Sequence, residues 1–127
     1  MIEATGTFEV KLTPTSDAGA PVSGMAIVKT FHGDLDGTST GQMLAVRTAI
    51  DGSAGYVAME RVIATLGGRH GSFALQHSGS MDKGAQSLSV TVVPDSATDG
   101  LVGLTGSMAI GIDGGRHSYV FKYALPH

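Results

Sequence analysis

The side chains best suited to chemistry in this chain are a few ionisable residues set into otherwise apolar alternation. In Ala54–Leu66 one parity carries Tyr56, Ala58, Glu60, Val62 and Leu66, and the other carries Val57, Met59, Arg61 and Ile63. A strand shows successive side chains to opposite faces, so either orientation buries one ionisable residue. We take Glu60 as inward, with the Tyr56 hydroxyl lining the same cavity. In Arg69–Met81 the residues Phe73, Leu75, His77 and Met81 share a parity, which places His77 on the core face. A neutral imidazole there serves as a general acid or base, or simply as a satisfied core residue. Met25, Ile27, Lys29 and Phe31 also share a face. If it is inward, Lys29 is a buried ammonium that needs a partner; if Ala26 and Val28 are inward instead, Lys29 is solvated. Thr40, Gln42, Leu44 and Val46 oppose Gly41, Met43, Ala45 and Arg47. Gln42 inward adds an amide to the cluster and leaves Met43, Val57, Met59 and Ile63 outside. Glu60 and His77 are then the catalytic candidates. Lys29, Gln42 and Tyr56 are ligand contacts, and Phe73, Tyr119 and Phe121 supply the aromatic lining. His117 shares the aromatic parity of Tyr119, Phe121 and Tyr123 but lies at the strand start, which places it at the rim.

The elements that must hold these residues are strands. Leu88, Val90 and Val92 alternate with Ser87, Ser89 and Thr91, and no segment carries the 3.6-residue apolar stripe of a helix. Turn signals cut the chain into eight runs. The spacing predicts strands at about Ala4–Thr13, Gly24–His32, Thr38–Ala49, Ala54–Leu66, Arg69–Met81, Gln86–Val93, Leu101–Ile112 and Arg116–Leu125. Gly33–Gly37, Asp51-Gly52, Gly67-Gly68, Asp82–Gly84 and Gly114-Gly115 turn the chain, and loops cover 14–23 and 94–100. Consecutive hairpins point to an all-β fold, an eight-stranded antiparallel up-and-down β-barrel; a sandwich is the alternative. An eight-stranded interior is filled by side chains or holds one small ligand.

Composition narrows the function classes. A chain of 127 residues is read as one domain, 1–127. The 19 glycines are about twice the average usage of roughly 7%, without a collagen period. A net charge of −3 with scattered basic residues speaks against nucleic acid as a partner. With 0 cysteines there is no thiol chemistry and no thiolate metal site. His70 and His77 have opposite parity, so no metal is expected, and no cofactor motif occurs. Gly37–Gly41 lacks the strand–turn–helix setting of a nucleophile elbow. No apolar run suits a membrane helix, and Met1–Gly6 lacks a leader pattern, which predicts a cytoplasmic protein with no membrane partner.

Lys29–Ser39, Gly52–Arg61, Gly71–Gly79, Leu88–Ser96 and Leu101–Met108 together resemble a bacterial family of small proteins of uncharacterised function. That family looks like the allene-oxide-cyclase-type barrel, a calycin-like closed sheet. The resemblance covers most of the chain. It implies a homo-oligomer and a lumen able to hold a small apolar molecule, with isomerase or cyclase chemistry as one option; it carries no established catalytic residues and leaves open whether the protein is an enzyme. Function resides in a site rather than in a fold. The rival expectation is a non-catalytic structural or interaction protein whose barrel is filled by its own side chains.

Overall fold

The structure is a computed structural model and describes residues 1–126. Eight strands, β1 (Ile2–Pro14), β2 (Ser23–Gly33), β3 (Leu35–Arg47), β4 (Ala54–Leu66), β5 (Arg69–Asp82), β6 (Ala85–Val92), β7 (Thr105–Asp113) and β8 (Arg116–Ala124), pair in chain order into a closed antiparallel barrel. β8 returns onto β1, with Ala4 opposite Phe121 and Phe8 opposite His117. This is the expected up-and-down barrel. Among the described residues no helix is long and apolar enough to cross a membrane.

Alternation fixes the two faces. Ala4, Phe8, Phe31, Leu35, Val62, Leu66, Phe73, Leu75, Tyr119 and Phe121 point inward and are buried. They cluster toward the end of the barrel where β1 begins and β2 ends. There Phe31 meets Tyr119 edge-on at 5.8 Å, and Phe73 stacks on Phe121 at 5.9 Å. Burying such side chains supplies about 1.5–3 kcal/mol each, so this half of the interior is an ordinary dry core.

Two boundaries differ from the sequence reading by three residues or more. β7 begins at Thr105, because Asp99–Leu101 forms a short 3-10 turn. Leu101 and Leu104 have opposite strand parity, so an extended chain would leave one of them in water. The turn buries both, at 0% and 2% exposure, and they plug this end. β3 begins at Leu35 rather than Thr38, since Asp34 alone makes the turn. The Asp34 N–H donates to the Thr5 carbonyl at 3.1 Å, and Asp34 Oδ2 accepts from the Thr5 N–H at 2.9 Å. The wholly buried Leu35 gives its N–H to the Tyr119 hydroxyl at 2.9 Å.

The opposite end is open, rimmed by the β1–β2 loop and by the β3–β4, β5–β6 and β7–β8 hairpins. Two of these brace each other: the Gly84 N–H donates to the Gly52 carbonyl and the Lys83 N–H to Ser53 Oγ, both at 3.0 Å.

Candidate functional site

Between the dry core and the open end, four inward residues from four consecutive strands converge on one carboxylate. Lys29 on β2, Ser39 on β3, Glu60 on β4 and His77 on β5 are the buried polar side chains of the protein's described part. Lys29 Nζ donates to Glu60 Oε2 at 2.8 Å, and Ser39 Oγ donates to Oε1 at 2.7 Å. His77 Nε2 lies 2.5 Å from Oε2. An ionised carboxylate only accepts, so His77 carries its proton on Nε2 and leaves Nδ1 as the ring's acceptor in the neutral state. The Glu60 side chain is wholly shielded, whereas Lys29 and His77 keep 7% and 5% of theirs exposed. Burial alone would raise the Glu60 pKa. The His77 hydrogen bond, the attraction of Lys29 and the bonds from Lys29 and Ser39 outweigh it and hold the carboxyl at about 2. Lys29 Nζ also stands over the Phe8 ring, 5.0 Å from its centroid.

Glycine makes room for this group. Gly41 pairs with Glu60, and a Cβ there would lie 2.8 Å from the Glu60 Cα and Cβ. Gly79 pairs with Tyr56, whose ring covers it.

Above the cluster the lumen opens into a cavity of about 340 Å³, lined by Met43, Ala45, Tyr56, Met81 and Leu88, with Arg47 at its rim. Tyr56 links the two levels. Burial and then the Glu60 charge raise its pKa, so it stays a phenol able to donate. A larger concavity, about 750 Å³, lies on the outer wall of β3–β5 beside Gln42, Leu44, Val57, Met59 and Gln76. The shielded Glu60 side chain does not enter it.

Of the residues singled out in the sequence, Glu60, His77, Lys29 and Tyr56 share the lumen. Lys29 is inward, not solvated. Val57, Met59 and Ile63 are outward, at 53%, 50% and 54% exposure. Gln42 is a correction: it is exposed on the outer face, and Met43 is the inward, half-buried neighbour. The even face of β3 is the bulkier one, but only the odd face, Ser39-Gly41, is small enough to fit beside Glu60. Phe73, Tyr119 and Phe121 are packed into the dry core at 0–2% exposure, below the cavity rather than around it. His117 lies against Phe8, ring centroids 5.0 Å apart. Ser39, Met43 and Arg47 were missed, although small Gly37, Ser39 and Gly41 at alternate positions signalled a crowded inner face. Glu60 and His77 engage each other with the Lys29 ammonium beside them, which leaves a cation no welcoming place; among the described residues no three His, Asp or Glu side chains are grouped to hold a metal.

No curated protein is significantly similar to this chain. A crystal structure at 1.84 Å resolution of a protein with unknown function from Shewanella oneidensis MR-1 is similar over 100% of this chain and 98% of that one. The two share 46% identity and a TM-score of 0.93. Residues 4–123 match a family described as protein of unknown function, DUF3224, to which that structure also belongs. The chain therefore belongs to the DUF3224 family, whose barrel it forms.

Proposed function

We propose that the open half of the barrel binds one small, largely apolar molecule, whose polar group meets Tyr56 and the exposed edge of the His77–Glu60–Lys29 cluster. The observation that carries this reading is the position of the cluster: a buried ion pair, its carboxylate accepting from Lys29, Ser39 and His77, lies beneath an apolar cavity that the protein's own side chains do not fill. Packed apolar residues of similar volume would serve stability as well or better. The cavity of about 340 Å³ lies at the small end of the usual ligand-pocket range of roughly 300–1,000 Å³. The resemblance to allene-oxide-cyclase-type barrels supports a lumenal ligand and extends the reading to proton-transfer isomerisation or cyclisation. In such a step His77 moves the proton, because Nδ1 remains an acceptor. Glu60, held at about 2, is a weak base that orients the ring and balances Lys29. The rival reading, a barrel filled by its own side chains, describes the closed half but not the open one.

Titration with 1-anilinonaphthalene-8-sulfonate, followed by fluorescence, tests the reading. We expect saturable binding of one probe per chain. Ala45→Phe, which fills the cavity, abolishes it, and Val57→Ser on the outer wall leaves it intact. Binding lost in Val57→Ser but kept in Ala45→Phe would overturn the lumenal site, as would an absence of saturable binding.

A further inference from the structure

We infer that the lumen is entered from the side, through a split between β6 and β7; the inference rests on the lumenal binding reading above. β6 is paired along its whole length with β5, from Leu75 opposite Val92 to Asp82 opposite Ala85. β7 is equally paired with β8, from Thr105 opposite Ala124 to Asp113 opposite Arg116. Toward each other the two strands register only at Thr91 and Ser107. Continuing that register would set Ser89 against Ala109 and Ser87 against Gly111, and neither pair forms. The barrel is thus closed by one bridge near its plugged end and splayed from there to its open end.

Side-chain exposure follows the split. Val90 and Met108, next to the bridge, are buried at 2% and 5%. Leu88 and Ile112 have the same inward parities farther along, yet are 45% and 68% exposed. Ile112 stands at the rim beside the β7–β8 turn, whereas Leu88 lies in the middle of β6, where an intact wall would cover it. Gln86, Ser87 and Leu88 line the cavity, so the strand that forms one edge of the split is also part of the cavity wall. Backbone donors and acceptors on the facing edges are left to water, which keeps the slot wet and easy to part. A molecule entering here passes between the apolar Leu88 and Ile112 and reaches Tyr56 without displacing the braced β3–β4 and β5–β6 hairpins.

The chain has 0 cysteines, so a single engineered pair can be controlled by redox state. In Ser87→Cys/Gly111→Cys, oxidation closes the slot two steps beyond the natural bridge, between Leu88 and Ile112, and reduction reopens it. Stopped-flow mixing with 1-anilinonaphthalene-8-sulfonate should show association slowed about tenfold or more in the oxidised protein, with the final amplitude retained and the rate restored by reductant. Equal rates in the two states would place entry at the barrel end and overturn the inference. Absence of probe binding in the reduced protein would instead defeat the binding reading. Amide hydrogen exchange on the unmodified protein gives a second test that needs no cross-link. Amides of β6 and β7 that face the split should exchange far faster than those facing β5 and β8. Equal protection means a closed wall and overturns the portal. Protection that grows with protein concentration assigns the slot to a strand of a second copy, and overturns it too.

Discussion

At the scale of residues, Glu60 governs the interior. It accepts from Lys29, Ser39 and His77, so its neutralisation leaves an unpaired ammonium in the wall. Glu60→Gln should therefore destabilise the fold by about 3–5 kcal/mol in denaturant melts, the range for a broken buried pair. Lys29→Met should cost a similar amount. The double variant Lys29→Met/Glu60→Met should recover part of the loss, since two apolar side chains need no desolvation, though His77 and Ser39 lose their acceptor. Costs under about 1 kcal/mol for either single change, adding simply in the pair, would mean exposed charges. The pH dependence has a definite sign. The folded carboxyl titrates at about 2, below its ordinary 4.5. Its contribution, on the order of 3 kcal/mol, is complete above pH 4.5 and disappears as pH falls through 2. The stability gap between the native protein and Glu60→Gln should accordingly be flat near neutrality and shrink in acid; a gap that widens in acid would contradict the assignment.

At the scale of elements, close strand approach decides which faces can carry the site. Gly41→Ala puts a methyl group against the β4 backbone, which cannot move aside as a side chain can, and should cost about 1–3 kcal/mol by thermal melting. Leu101→Ala opens the plug and should cost about 2–5 kcal/mol. The strands of the fold were legible because period-two alternation and turn residues are local signals: Ala54–Leu66 was read to both of its ends. The inward placements of His77 and Glu60 were legible because each shares a parity with apolar neighbours. β3 was not legible from apolarity, since over residues 40–47 Leu44 and Val46 make its solvent face the more hydrophobic one. The deciding fact, that Glu60 across the ladder admits only a glycine at 41, is a cross-strand constraint. The plug at Leu101 and Leu104 escaped for a related reason: it depends on a space at the barrel end that exists only once the sheet has closed.

At the scale of the whole molecule, the barrel is filled at one end, open at the other, and apolar on part of its outside. Val28, Leu44, Val57, Met59 and Ile63 are outward and about half exposed across β2–β4. Exposed apolar side chains gathered on one face often mark an interface, and we propose that this face meets a second copy of the chain. Light scattering at micromolar concentration should report a homo-oligomer, and Val57→Glu/Ile63→Glu should release monomers with the barrel's circular dichroism unchanged. A native monomer would leave that face without its proposed cover. The lumen remains the centre of the functional proposal, and a crystal structure of the protein with 1-anilinonaphthalene-8-sulfonate tests it most directly. The account predicts the aromatic rings in the cavity among Met43, Tyr56, Met81 and Leu88, above an undisturbed Lys29–Glu60–His77 cluster. Probe seated only on the outer wall beside Leu44 and Val57, with side chains closing the cavity, would contradict it.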